Sequence, residues 1–238
     1  MIEVVNLHKK FGKFSALSNI HLVLEAGHCI ALVGPNGCGK TTLIKCLLGL
    51  VVPQQGQILI RGQASIHQHS HRAYLGYMPQ IGRYPGNLSI AQLIEMVRNL
   101  RPQQAHYDEE LIDSLGISSI LSKKMSSLSG GTIQKVSAIL AFLFDPDILI
   151  LDEPTAGLDP LSSEILKQKI EKAVKQGKLV LITSHILSEL DELVTEVVFM
   201  QEGQIVLHRP VHQLIKETGE TKLSKAILSI LQSKEHHE

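Results

Sequence analysis

Residues 34–41 read "GPNGCGKT", a glycine-spaced loop that closes on a lysine and a hydroxyl. That combination suits the phosphates of a nucleoside triphosphate. Gly34, Gly37 and Gly39 let the backbone turn tightly and aim its amides at anionic oxygens, with Pro35, Asn36 and Cys38 completing the loop. Cys38 reads as a small residue that fits, where serine or alanine would serve equally. Lys40 brings positive charge to the β- and γ-phosphates, and the N-terminus of a following helix adds its dipole. Thr41 offers a hydroxyl to Mg²⁺, and Thr42 is placed to reach the α-phosphate. The apolar run "HCIALV" precedes the loop and the helically spaced "KTTLIKCLLGL" follows it, so the pattern stands between a strand and a helix as a phosphate loop requires.

A second group of chemical residues ends the run "ILILDEPTAGLDP". Four apolar residues bury a strand that presents Asp152 and Glu153 at its C-terminal edge, where α/β sheets place their ligands. Asp152 is suited to the shell of a Mg²⁺ ion, and Glu153 to polarising a water that attacks the γ-phosphate. "LVLITSH" is another apolar strand, and it puts His185 at a strand end facing the same phosphate. A third element, "LSGGT" at 128–132, offers Ser129 and the free amides of Gly130 and Gly131 as a further anion cradle. One chain thus carries two cradles.

The elements that position these residues read as strands alternating with helices, which indicates an α/β fold with a mainly parallel sheet covered on both faces. An N-terminal set of strands ("IEVVNL", "IHLVL", "GQILIRG") precedes it as an antiparallel β subdomain. From about 88 to 130 the texture turns helical, with "SIAQLIEMVRNL" opening at a Ser89 cap, and this block reads as an inserted helical subdomain. The tail, about 211–238, holds "KLSKAILSILQSK", whose Leu223, Ala226, Ile227, Ile230 and Leu231 share a helical stripe, which reads as packing on the chain's own domain, with docking to a partner as the alternative. The whole of 1–238 reads as one domain, for which an apolar content of 44% supplies an ample core.

Composition excludes several classes. Lys+Arg and Asp+Glu both number 23, so no net field draws the chain to nucleic acid. Three cysteines, Cys29, Cys38 and Cys46, are too few and scattered for a disulfide framework, which fits a reducing cytoplasm. No apolar run approaches the roughly twenty residues of a membrane span. Among 12 histidines, "IHQHSH" sets His67, His69 and His71 in alternation. On a strand they would share a face at metal-ligand spacing, while a solvated hairpin loop is the plainer alternative.

Taken in this order, "GPNGCGKTT", "YMPQ", "LSGGT", "ILILDEP", "GLDP" and "SH" at 184–185 resemble the ATP-binding subunits of ABC transporters, over essentially the whole chain. The resemblance implies a P-loop NTPase fold, ATP and Mg²⁺ as cofactors, and ATP hydrolysis. It implies that Gln80 binds Mg²⁺ and water, that Phe11 stacks on adenine with Phe14 as the fallback, and that Asp159 communicates across a dimer. It explains the second cradle, because in the family the signature at 128–132 closes over ATP held by a second copy, head to tail. The implied partners are that second copy and an integral membrane permease, with the chain peripheral on the inner face of the cell membrane. Thr132 stands where glutamine is usual, which implies competence with altered dimer energetics. The stretches 77–93 and 128–160 are similar to subunits accompanying copper delivery to nitrous oxide reductase.

Overall fold

A computed structural model describes residues 1–65, 70–101, 106–184 and 191–235, the last five by backbone alone. Two sheets carry the chain. The first is antiparallel, with β1 (Ile2–Phe11), β2 (Phe14–Leu24), β4 (Gln55–Ile60) and the short β5 (Gln63–Ala64) in the order β2-β1-β4-β5. The second contains β3 (Cys29–Val33), β6 (Leu75–Met78), β7 (Ile148–Asp152), β8 (Leu179–Thr183), β9 (Glu196–Gln201) and β10 (Gln204–Pro210), in the order β10-β9-β3-β8-β7-β6. Its five pairings are parallel except β9 with β10, which form an antiparallel edge hairpin.

Side-chain alternation divides the interior in two. Ile30, Leu32, Ile148, Ile150, Leu179 and Leu181 face α1 (Lys40–Leu47) and the antiparallel sheet. Cys29, Ala31, Leu149, Leu151, Val180 and Ile182 face the other side, covered by α4 (Gly130–Phe142) and α5 (Pro160–Lys175). Both faces being covered, these strands are apolar throughout, which is why they read as unbroken runs. In β1 the buried series Ile2, Val4 slips to Leu7, and in β2 Leu17 slips to Ile20. Asn6 and Asn19 make the slips, at φ 49° and 52°, a backbone region that asparagine tolerates better than most residues.

The helical stretch contains α2 (Ile90–Arg98) and α3 (Glu110–Ser114) with short 3₁₀ turns at 118–120 and 125–127. Ser89 caps α2 as expected: Gln92 N donates to Ser89 Oγ and Ser89 N to Gln92 Oε1, a reciprocal capping box. Lys169 of α5, 7% exposed, is stabilised by Asp108 at 2.5 Å and Glu110 at 2.8 Å, which ties α3 to the sheet's covering layer. At the end of the chain, α6 (Val211–Thr218) precedes α7 (Leu223–Glu235). Leu223, Ala226 and Ile227 are buried in the same core as the parallel sheet, so this part of the tail stripe packs on its own domain.

All three cysteines are free and buried, with burial pushing the Cys29 thiol up to about 12 and Cys46 to about 11. Among the described residues no helix is long and apolar enough to cross a membrane. His71 departs from the shared strand face: it is buried in a 3₁₀ turn, Ser70–Tyr74, against Gly49. His67 and His69 lie outside the described residues.

Candidate nucleotide site

The loop between β3 and α1 is held from outside. Gly34 adopts φ 149°, and a Cβ there would stand 2.1 Å from the carbonyl oxygen of Met200. Gly39, the N-cap of α1, adopts φ 108°, and its Cβ would stand 2.5 Å from the carbonyl oxygen of Ala16. Any side chain at these two places would push β9 or β2 away, so the glycines are required by packing as well as by φ. Lys40 begins the helix, and its Nζ donates to the carbonyls of Gly34 at 2.6 Å and Pro35 at 3.1 Å, lying across the mouth of the loop.

This loop forms one wall of a cavity of about 310 Å³. Asn36, Gly37, Gly39, Lys40, Thr41 and Thr42 line it, facing Gln80 beyond β6, Asp152 and Glu153 at the end of β7, and Thr183 and Ser184 at the end of β8. Apart from Phe14 and Ala16 of β2, the contributors sit at or just past the carboxyl ends of parallel strands, the place where open α/β sheets bind ligands. Thr41, Gln80 and Asp152 bring a hydroxyl, an amide carbonyl and a carboxylate to one cavity. That all-oxygen donor set fits a hard divalent cation such as Mg²⁺.

Thr183 organises the acidic edge, a role the sequence reading missed. Its Oγ1 donates to Asp152 Oδ1 at 2.5 Å and accepts from the Glu153 amide at 3.1 Å. The same amide is also 3.1 Å from the Thr183 carbonyl. One hydroxyl thereby sets the carboxylate of Asp152 and the backbone of Glu153, which adopts φ 50°. The only sequence signal was its place next to "SH" at the strand's end. His185 lies outside the described residues.

The aromatic at the cavity is Phe14 and not Phe11. Phe11 is its cross-strand partner, with Lys9 Nζ 5.0 Å from the ring centroid. Both rings are unusually open for phenylalanine, 51% exposed for Phe11 and 60% for Phe14.

The second cradle stands apart: Ser129, Gly130 and Gly131 are not among the described residues lining this cavity. Ser129 is the N-cap of α4, exposed like Gly130, and its Oγ accepts from Thr132 N at 3.3 Å. Thr132 Oγ1 lies 2.8 Å from Ser129 Oγ. A glutamine at this N3 position could reach back to the cap's backbone amide; the shorter threonine engages the cap's hydroxyl instead. Asp159 caps α5, accepting from Ser162 N at 2.9 Å and Ser162 Oγ at 2.7 Å, and pairs with Lys135 of α4 at 2.9 Å. The Ser162 bonds, then Lys135, hold its carboxyl well below the usual range. Tyr84, four residues after Gln80, shares a 2.8 Å hydroxyl bond with buried Ser137 of α4, and burial raises its hydroxyl's pKa. The segment carrying Gln80 is thus tied to the helix carrying the second cradle.

The model of one protein family, described as ABC transporter, matches residues 17–156. The chain belongs to the ABC transporter family. This ABC protein is 32% identical over 209 residues to the lantibiotic transport ATP-binding protein SrtF of Streptococcus pyogenes, covering 88% of this chain and 90% of that one. It is 31% identical over 220 residues to the Nod factor export ATP-binding protein I of Burkholderia lata, covering 90% and 72%. Among solved structures, an ATP-binding subunit of an ABC transporter superposes with a TM-score of 0.89 at 24% identity, covering 97% of this chain and 99% of that one. The dimeric ABC transporter cassette MJ0796 superposes with a TM-score of 0.78 at 23% identity, covering 88% and 98%. At these identities the structural likeness is one of fold. The ABC chain is a transporter's ATP-binding subunit and an ATPase, built on the P-loop NTPase fold.

Proposed function

We propose that two copies of this ATPase associate head to tail around two ATP molecules and drive a membrane permease. The observation that carries the reading is the separation of the two cradles: the loop at 34–41 lines a cavity with the acidic edge, while Ser129 and Gly130 stand exposed elsewhere. An exposed helix N-terminus with a serine cap and a bare glycine suits an anion brought by another molecule. The dimeric cassette of the same fold supports this arrangement.

In this account the loop amides and Lys40 bind the phosphates of ATP, and Lys40 exchanges its loop carbonyls for phosphate oxygens. Thr41, Gln80 and Asp152 would hold Mg²⁺, which when bound offsets phosphate charge. Glu153 orients and polarises the attacking water, with His185 at the γ-phosphate. The hairpin bearing Phe11 and Phe14 receives the adenine. Resemblance favours Phe11 for the stacking and the cavity edge favours Phe14. ATP draws the copies together and hydrolysis releases them.

The domain organisation supports a permease contact. We take about 88–130 as the helical subdomain and about 211–238 as the tail. Between α2 and α3 lies a groove of about 550 Å³, lined by Ala91, Ile94, Ile112 and Leu121 together with Asp113 and with Arg98, which pairs with Glu95 and Glu109. An amphipathic permease helix fits it. The subunit would then sit on the cytoplasmic face of the membrane, without nucleic acid. We place its cargo with the exported ones, as the names of its relatives favour. Copper delivery is a narrower proposal that rests on the stretches 77–93 and 128–160. Stimulation of the co-purified complex's ATPase by Cu(I) would support it, and stimulation by peptide or lipid cargo alone would remove it.

Glu153→Gln tests the core of the proposal. It should bind ATP, lose hydrolysis by on the order of 10²–10⁴-fold, and accumulate as dimer. A variant that stays monomeric at saturating ATP would overturn the dimer.

A further inference from the structure

The opening turns of α4 lie along the segment that follows β7. A Cβ on Gly131 would stand 2.6 Å from the carbonyl oxygen of Gly157. Gln134 Nε2 donates to the carbonyl oxygen of Glu153 at 3.3 Å, and Lys135 Nζ lies 2.9 Å from Asp159 Oδ2. Positions 131, 134 and 135 share one helix face, so the helix that begins with Ser129 and the segment from Glu153 to Asp159 are joined by three contacts.

Of these contacts, the one from Gln134 reaches the residue that matters most for hydrolysis. Gln134 is 5% exposed, beside the buried Val136, Ala138 and Ile139. An amide so placed is tolerated only when bonded. Glu153 in turn needs support, because a non-glycine residue at φ 50° persists only where its surroundings over-determine it. Thr183 holds its amide, and its carbonyl accepts from the Ala156 amide of its own turn at 3.1 Å and from Gln134, the bond that comes from another element.

We infer that Gln134 is a positioning residue for ATP hydrolysis: by bonding the Glu153 carbonyl it fixes the backbone turn that aims the Glu153 carboxylate. The inference rests on the reading of Glu153 as the group that polarises water. It also joins the two nucleotide sites. Gln134 lies in the helix whose first residues meet the ATP of the second copy, so engagement there is passed to the chain's own Glu153 through one side chain.

The test is Gln134→Met, which keeps bulk and loses the donor, beside Gln134→Asn, which keeps an amide but falls one methylene short. Each should lower kcat by on the order of 10–100-fold while leaving the KM for ATP unchanged, since the phosphate loop is a separate segment. Either variant, if only one folds, carries the test. In the Glu153→Gln background, Gln134→Met should leave ATP-driven dimerisation intact. An unchanged kcat in the folded variants, or loss of that dimer, overturns the inference. The controls separate it from the reading beneath it. If Glu153→Gln alone still hydrolyses ATP, the role of Glu153 fails; if it does not and Gln134→Met hydrolyses as the wild type does, only the role of Gln134 fails.

Discussion

Gly130 in the second glycine-rich segment is placed in the opposite way to Gly34 and Gly39 in the first. At 34–41 Gly34 and Gly39 are boxed in: at φ 149° and 108° they leave no room for a methyl group, whereas Gly37, at φ 81°, has open space around it. At 129–131 Gly131 is pressed against the Gly157 carbonyl, but Gly130, the first residue of α4, has open space around it. The first segment is complete within the chain, pressed by β2 and β9 into a fixed shape beside Gln80, Asp152 and Glu153. The second presents its small residue outward. A glycine that the fold does not need is explained by something that must approach it, and in the proposed dimer that is the nucleotide of another copy.

The contrast can be broken by substitution. Gly39→Ala should do the most damage. Its methyl meets the Ala16 carbonyl, so the loop must shift, and ATP affinity should fall by roughly 100-fold, as losing charge-assisted bonds of about 1.5–3 kcal/mol would. Isothermal titration measures it, and near-normal affinity would show the loop to be less constrained than its packing. Gly130→Ala should do the reverse to the fold, raising stability by roughly 0.5–1 kcal/mol because alanine suits a helix better, while it removes ATP-driven association. Thermal melting and sedimentation read the two effects separately. A smaller effect belongs to the hairpin: Phe11→Ala with Phe14→Ala should weaken ATP roughly 10-fold, the size of one base stack. The single substitution with the larger loss names the stacking ring, and an unchanged double variant removes the hairpin from the site.

The smallest effect lies on the face of α3, away from both segments. Bonds from Lys169 and then Lys172 lower the Glu110 carboxyl from its ordinary 4.5 to about 2. Its folded pKa lies below the unfolded one, so its stabilisation is complete above 4.5 and lost as pH falls through about 2. The side chain is 48% exposed, so Glu110→Gln should cost less than about 1 kcal/mol at neutral pH. Urea midpoints of the two proteins should converge between those pH values; a constant gap would assign the loss to packing.

The phosphate loop, the acidic strand end and the Ser89 cap were legible because each is a local pattern whose neighbours announce it. The paired faces of the parallel strands were legible for the same reason, since burial on both sides leaves no polar alternation. What stayed hidden depends on contacts distant in sequence. Thr183 meets Asp152 across 31 residues, Gln134 meets Glu153 across 19, and Lys169 meets Glu110 across 59. No periodicity marks such residues. Phe14 and Phe11 face each other across one tight turn, so spacing alone could not say which would border the cavity. Thr132 was visible as a departure, but its bond to the Ser129 hydroxyl appears only with the cap's geometry.

Sedimentation of Glu153→Gln with saturating ATP, alone and combined with Gly130→Ala, tests the central claim most directly. The account predicts a dimer for Glu153→Gln and a monomer for the combination, with equal ATP bound per chain in both. Equal dimer in both proteins would contradict it, because the exposed cradle would then have no part in joining the two copies.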